Sequence, residues 1–363
     1  MIPKSGNRFS EKIMRNERMV TPKHRIAVIG LGMAVTPHAK SLVDLKGRVE
    51  VVRAFSPSEA RRAAFAVKFP FPLADDLDAI LADKSIDCVE ILTPPNTHLD
   101  LVRKCAATGK HILLEKPLEV STERAAELVE IARKAGVTLG VMLQHRFRPA
   151  ALKLRAMMRE GALGRIVNCS TVIRLWRPQS YYDVEGRGTK ARDGGGVLIT
   201  QGIHTLDLML SLAGPISEVR AYAMTSSVHR METEDLVAAA VKYESGAIGT
   251  IDATTAAYPG FPERIEIIGE KATASLAGSD LVVAHHDGRV TEMKTEYGAG
   301  GTGADPMAFP NDWHRAVIAD FLDALDQKRE PAISGSEALK VHRLIDAMLE
   351  AGATGRTVHV RAS

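Results

Sequence analysis

The chain has 363 residues, 45% of them hydrophobic and 25% charged. That mixture excludes collagen-like, low-complexity and wholly disordered chains, and the length fits one large or two ordinary domains. The formal charge is +3, but residues 1–25 carry seven basic and two acidic side chains, leaving 40 basic against 42 acidic in the rest. The body is therefore slightly acidic, which argues against a nucleic-acid partner.

Residues 1–23 show no strand alternation and no helical stripe, and lack the apolar stretch of a secretory signal. They are expected to be a disordered leader. The longest apolar run, Ile26 to Val35, is too short to span a membrane. Cys88, Cys105 and Cys169 are widely spaced, which argues against a disulfide framework or a zinc site and suits a reducing cytoplasm. His285-His286 has no third ligand at metal spacing, so no metal is expected.

From Arg25 the sequence alternates short apolar runs with longer amphipathic ones. Strands are expected at Ile26–Ile29, Val49–Phe55, Asp87–Leu92, His111–Leu114 and Val137–Leu143. Helices are expected near 35–45, 57–68 and 96–108, and from a Ser121 cap to Ala135, closed by Gly136. This alternation predicts βαβ units and a doubly wound parallel sheet over residues 24–147. After Arg148 the rhythm changes. A helix at Ala150–Glu160 precedes β-rich runs starting at Ile166, Glu218, Leu236, Ala247, Arg264, Thr273, Leu281 and Val290. Turns at Tyr243–Ala247 and His286–Gly288 join hairpins. One helix, Val197–Leu212, interrupts them, and two more, near 312–326 and 336–350, close the chain, the last able to pack back on the first domain. The expectation for 148–363 is an α+β domain on an open, mostly antiparallel sheet. Gly298–Gly303 holds four glycines and reads as a mobile loop.

Gly30-Leu31-Gly32-Met33-Ala34-Val35 joins the first strand to the first helix, where backbone N–H groups and a helix N-terminus meet a dinucleotide pyrophosphate. Val35 replaces the third glycine of the usual pattern. The second strand ends without the carboxylate that favours NAD. Ser56 and Ser58 could hydrogen-bond a 2′-phosphate, and Arg61 or Arg62 could neutralise it, so NADP is slightly favoured over NAD.

Glu115-Lys116-Pro117 ends a parallel strand, the edge at which ligands gather in open α/β sheets. A lysine there can bind a substrate hydroxyl and stabilise alkoxide charge. Asp193 and three glycines lead into the 197–212 helix, which carries His204 and Asp207 at i and i+3, an arrangement suited to acid–base work. Thr200 and Gln201 also interrupt its apolar stripe.

Together these pieces resemble the Gfo/Idh/MocA oxidoreductases over about residues 24–360. The resemblance rests on Gly30-x-Gly32 with His38, Thr93-Pro94-Pro95-Asn96-Thr97-His98, Glu115-Lys116-Pro117-Leu118, Gly194-Gly195-Gly196 and Gln201-Gly202-Ile203-His204-Thr205-Leu206-Asp207. It also includes the closing Ser336-Glu337-Ala338 helix. Tyr181-Tyr182 and Arg187-Gly188-Thr189 look like the subgroup acting on sugars and sugar nucleotides. The resemblance implies that Lys116 binds the reacting hydroxyl and that His204 takes its proton while hydride passes to a nicotinamide. Thr200 stands where inositol dehydrogenases carry an aspartate, which shifts more of the relay to Asp207 or Lys116. Thr93, Pro94, Asn96 and His98 would line the nicotinamide side, with Glu115 beside Lys116. Arg146, Trp176, Arg177 and Tyr182, with Thr200 and Gln201, are candidates for sugar contacts. The expected activity is NAD(P)-dependent oxidation or reduction of a secondary alcohol on a sugar, cyclitol or polyol, by a homodimer or homotetramer. Two alternatives have the same fold: glycoside cleavage through transient oxidation, and non-catalytic nucleotide sensing.

Overall fold

A computed structural model describes residues 23–295 and 310–361. The expected leader and the glycine-rich loop at 298–303 lie outside the described residues, except for Lys23. The first half builds a six-stranded parallel sheet in the order β3-β2-β1-β4-β5-β6. Its strands are β1 (His24–Ile29), β2 (Val49–Phe55), β3 (Leu73–Ala74), β4 (Cys88–Ile91), β5 (His111–Leu114) and β6 (Leu139–Val141). The helices between them are α1 (Val35–Asp44), α2 (Glu59–Ala66), α3 (Leu77–Ala82), α4 (His98–Ala107) and α5 (Thr122–Ala135). Helices on both faces bury the strands, so β1 and β4 read as nearly continuous apolar runs. Glu90 on β4 is the exception, a fully buried carboxylate.

Caps fix the helix ends. Ser58 accepts from the Arg61 amide and starts α2 there, two residues inside the expected start. Ser121 accepts from the Arg124 amide, and Gly136 closes α5 in the left-handed region at φ 67°. Two elements are too short to leave a periodic mark in the sequence: β3, of two residues, and α3, capped by the side chain of Asp76.

The second half follows α6 (Pro149–Arg159) and forms a nine-stranded sheet in the order β14-β13-β12-β11-β7-β10-β9-β8-β15. Its strands run from β7 (Ile166–Arg174) through β8 (Ile216–Met224), β9 (Leu236–Tyr243), β10 (Ile248–Thr254), β11 (Arg264–Gly269), β12 (Ala272–Ala277), β13 (Asp280–His285) and β14 (Val290–Met293) to β15 (Val358–His359). The pairing is antiparallel except for β7 with β10, which run parallel. Two short helices, α7 (Gln179–Tyr182) and α8 (Lys190–Asp193), lead to the central helix.

The expected single helix at 197–212 is in two parts: a π-helical turn, Leu198–Gly202, then α9, Ile203–Ala213. Residues 190–213 reach the length and hydropathy of a membrane-crossing helix, but most of this stretch is buried in the core. The chain closes with α10 (Asp312–Gln327), which packs on α1, and α11 (Gly335–Thr354), which packs on α5, β6, α9 and β8. His342 of α11 also accepts a hydrogen bond from the Leu118 amide, so the last helix joins the two sheets.

Candidate active site

A cleft of about 800 Å³ opens at the C-terminal ends of β1, β2, β4 and β5. Gly30, Gly32, Met33, Ala34, Ser56, Arg61, Thr93, Pro94, Asn96, Glu115 and Lys116 line one side. Tyr181, Arg187, Arg192, Asp193 and Thr200 line the other. The phosphate end is built for close approach. Gly30 has φ 108°, and a Cβ there would sit 2.8 Å from the Leu92 carbonyl carbon. A Cβ on Gly32 would meet nothing within 4 Å, so its absence leaves open space facing the cleft. No side chain caps α1, which leaves its first N–H groups for an anion. Val35, at the third glycine position, is buried in the core. These features fit a dinucleotide.

At the adenosine end Ser56 is buried, and its hydroxyl accepts from the Ser58 amide. Arg61 lines the cleft, whereas Arg62 donates to the Ser56 carbonyl. Ser58 does not line the cleft, because its hydroxyl is engaged in capping α2. His98 is likewise displaced from its expected place on the nicotinamide side. It is fully buried, with its ring 2.8 Å from the Thr93 carbonyl and 3.1 Å from those of Pro117 and Leu118. Burial pushes its pKa down. His98 thus ties the loop after β4 to the loop after β5.

Lys116 leaves β5 and donates from Nζ to the Thr200 carbonyl at 2.7 Å. Burial lowers its pKa, and Arg177 adds to the effect against Glu115 and Asp193. Behind it, His38 bridges two carboxylates, with Nδ1 2.8 Å from Glu90 and Nε2 3.2 Å from Glu115. Burial opposes charging this ring, but Glu90 and Glu115 outweigh it and raise its pKa to about 10. The imidazolium therefore fixes Glu115, the residue before Lys116.

His204 follows the π-turn, four positions after the cleft-lining Thr200, and is not itself among the residues that line the cleft. Burial pushes its pKa well below 6.5, and Lys116, His314 and Arg148 push the same way. Its imidazole is therefore neutral at neutral pH. Its buried Nδ1 has no hydrogen-bond partner among the described residues, and its ring lies 4.9 Å from that of His145, tilted by 31°. Glu234 sets the entry to this helix, its buried carboxylate accepting from the Gly196 and Leu198 amides. A Cβ on Gly196 would overlap the Glu234 carbonyl, which explains a glycine there.

Asp207 is not placed as the acid–base partner of His204. Arg146 donates to both of its carboxylate oxygens, from Nη2 at 2.6 Å and Nε at 2.7 Å. The i, i+3 spacing on a helix suggested His204 as the neighbour, but a buried carboxylate needs a cation, and Arg146 supplies it. Arg146 in turn is removed from the sugar contacts, since its guanidinium is taken up by Asp207 and Glu337. Tyr182 is also corrected: it is buried, with its hydroxyl 2.8 Å from that of Thr255. Its neighbour Tyr181 faces the cleft, with the Arg187 guanidinium 4.0 Å above the ring and that of Arg177 at 5.8 Å. Trp176 packs edge-on against Tyr258 and does not line the cleft. Arg177 is buried behind it and donates to the Trp176 carbonyl. Thr200 lines the cleft, and its single hydroxyl proton is within reach of both the Gly196 carbonyl and the Gln201 side-chain oxygen. The Gln201 amide reaches towards the Tyr181 hydroxyl at 3.5 Å. His145, His314 and Glu234 join the site through contacts that no sequence motif signals, whereas Tyr181 and Arg187 lie in the Tyr181-Tyr182 and Arg187-Gly188-Thr189 segments. Among the described residues no His, Cys, Asp and Glu group could hold a metal ion.

Comparison with known proteins agrees with this geometry. Residues 24–143 match the family described as oxidoreductase family, NAD-binding Rossmann fold, and residues 151–275 match the GFO/IDH/MocA C-terminal domain. D-xylose 1-dehydrogenase (NADP(+)) 2 of Haloferax volcanii is 26% identical over 84% of this chain and 90% of its own. The scyllo-inositol 2-dehydrogenase (NAD(+)) of Bacillus subtilis is 29% identical over 69% of this chain and 72% of its own. The WlbA dehydrogenase of Bordetella pertussis, solved with NADH and UDP-GlcNAcA, is 28% identical, covers 94% of this chain and 100% of its own, and has a TM-score of 0.80. The chain belongs to the Gfo/Idh/MocA family of NAD-binding oxidoreductases.

Proposed function

We propose that the protein transfers hydride between a secondary alcohol of a sugar, cyclitol or related polyol and a nicotinamide, with Lys116 and His204 as its catalytic residues. The observation that carries this is the Lys116 Nζ hydrogen bond to the Thr200 carbonyl, which holds the amine at the turn leading to a neutral His204. In the oxidative direction the substrate hydroxyl sits between these two groups. His204 accepts its proton, which a neutral imidazole can do and an imidazolium cannot. Lys116 donates to the same oxygen as alkoxide charge develops. A bound nicotinamide would take the hydride from the carbon that bears this oxygen. Thr93, Pro94 and Asn96 line the cleft beside Lys116 and would orient that ring, while Tyr181 and Arg187 line the opposite wall.

Arg61 in the first turn of α2 lines the cleft, and Ser56 rather than a carboxylate follows β2, which favours NADP. The nine-stranded sheet leaves Tyr222 and Ile248 exposed on its outer surface, a face suited to pairing with a second copy. The three thiols are free and buried, as suits a reducing cytoplasm. The test is a panel of polyols assayed with NAD and NADP, using wild type and the His204→Ala and Arg61→Ala variants. The proposal expects cofactor reduction with at least one polyol and its loss in His204→Ala. It also expects a shift from NADP towards NAD in Arg61→Ala. Undiminished turnover in His204→Ala overturns the assignment.

A further inference from the structure

A second cavity, of about 240 Å³, lies between α9, α11 and the chain's last strand, and it shares no lining residue with the catalytic cleft. Leu210, Pro215, Ile216, Leu344 and Val360 give it an apolar floor. Four cations border it, Arg146, Lys340, Arg343 and Arg361, against two carboxylates, Glu244 and Glu337. The carboxylates do not neutralise the set. Glu337 is shared between Arg146 and Lys340, and Arg146 is also held by Asp207. Arg343 and Arg361 form no ion pair among the described residues, and Glu244 forms none with either of them. Neither guanidinium has a carboxylate within ion-pair distance among the described residues, although Arg361 is exposed and its charge reaches Asp346, so the pair does little for stability alone. It suits a ligand with an anionic head and an apolar body, because guanidinium donors match phosphate and carboxylate oxygens in pairs.

We propose that this cavity binds a small organic phosphate monoester, its phosphoryl group between Arg343 and Arg361 and its apolar part on Leu210, Ile216 and Leu344. A dianionic head balances two unpaired cations where a monocarboxylate balances one. The floor makes inorganic phosphate alone a weaker ligand, since it leaves the apolar surface wet. The site lies outside the cofactor cleft and does not depend on the reaction proposed above.

Titration calorimetry of the full chain with phenyl phosphate, benzoate and inorganic phosphate tests this, with NADP present at saturation to fill the cleft. Phenyl phosphate is expected to bind saturably, at least tenfold tighter than inorganic phosphate or benzoate. Arg343→Ala and Arg361→Ala, whose side chains make no ion pair among the described residues, are expected to fold normally and to weaken phenyl phosphate at least tenfold. Arg61→Ala is expected to leave it unchanged. Absence of saturable binding overturns the proposal. So does equal binding in wild type and Arg343→Ala, and so does loss of binding in Arg61→Ala, which would place the ligand in the cofactor cleft.

Discussion

Asp207→Asn separates a structural role for this residue from a catalytic one. The substitution keeps the shape and removes the charge. It leaves the Arg146 guanidinium buried, with Glu337 at 3.2 Å as its remaining carboxylate. Removing one partner of a buried ion pair costs about 3–5 kcal/mol, because the other charge stays desolvated. With a urea dependence of about 3 kcal/mol per molar for a chain of this size, the unfolding midpoint falls by about 1–1.7 M. The double variant Arg146→Met, Asp207→Leu removes both charges and regains most of that loss. Equilibrium unfolding in urea, followed by circular dichroism, gives the midpoints, and initial rates give turnover. Turnover of folded Asp207→Asn is expected within a few-fold of wild type, since His204 does not use this carboxylate. An unchanged midpoint with a hundredfold loss of turnover would refute the reasoning and return Asp207 to the proton relay.

Two further outcomes follow from the site. His38 has its pKa raised to about 10 by Glu90 and Glu115 despite burial, so its contribution to stability is complete below about 6.5, the unfolded value, and is lost as pH rises through about 10. Unfolding midpoints at several pH values between these limits should fall more steeply for wild type than for His38→Gln, and equal slopes would contradict the bridge. Gly30→Ala forces a Cβ to 2.8 Å from the Leu92 carbonyl carbon at φ 108°, and about 1–3 kcal/mol of strain should lower its melting temperature. Gly32→Ala, whose Cβ meets nothing, should keep the melting temperature and weaken NADH binding in a fluorescence titration. Reversal of these two effects would contradict the phosphate-end assignment.

The parallel half of the fold was legible because strands buried on both faces are apolar runs, and because serine caps and glycine stops punctuate the helices between them. What was not legible depends on contacts distant in sequence. Strand direction leaves no periodic mark, so the parallel pairing of β7 with β10 could not be told from a hairpin. The π-turn at Leu198–Gly202 adds a residue to a helix most of whose residues are buried, so its apolar pattern does not mark the shift in register. Asp207 and Arg146 are 61 positions apart, whereas His204 stands three positions away, so local spacing favoured the wrong partner. Tyr181 and Tyr182 are adjacent on one short helix, and only packing decides which of them enters the core. The glycine loop and Lys116 were readable because each combines a residue type with a strand end.

The central claim is that Lys116, held at the Thr200 carbonyl, acts on the reacting hydroxyl. It is tested most directly by comparing Lys116→Ala with wild type in a single preparation, measuring NADP(H) binding by fluorescence and hydride transfer by absorbance with the best polyol. The expected result is cofactor binding within about threefold and hydride transfer reduced at least a hundredfold, since one lost stabilising donor costs about 3–4 kcal/mol. Hydride transfer that survives Lys116→Ala at near the wild-type rate would contradict the account.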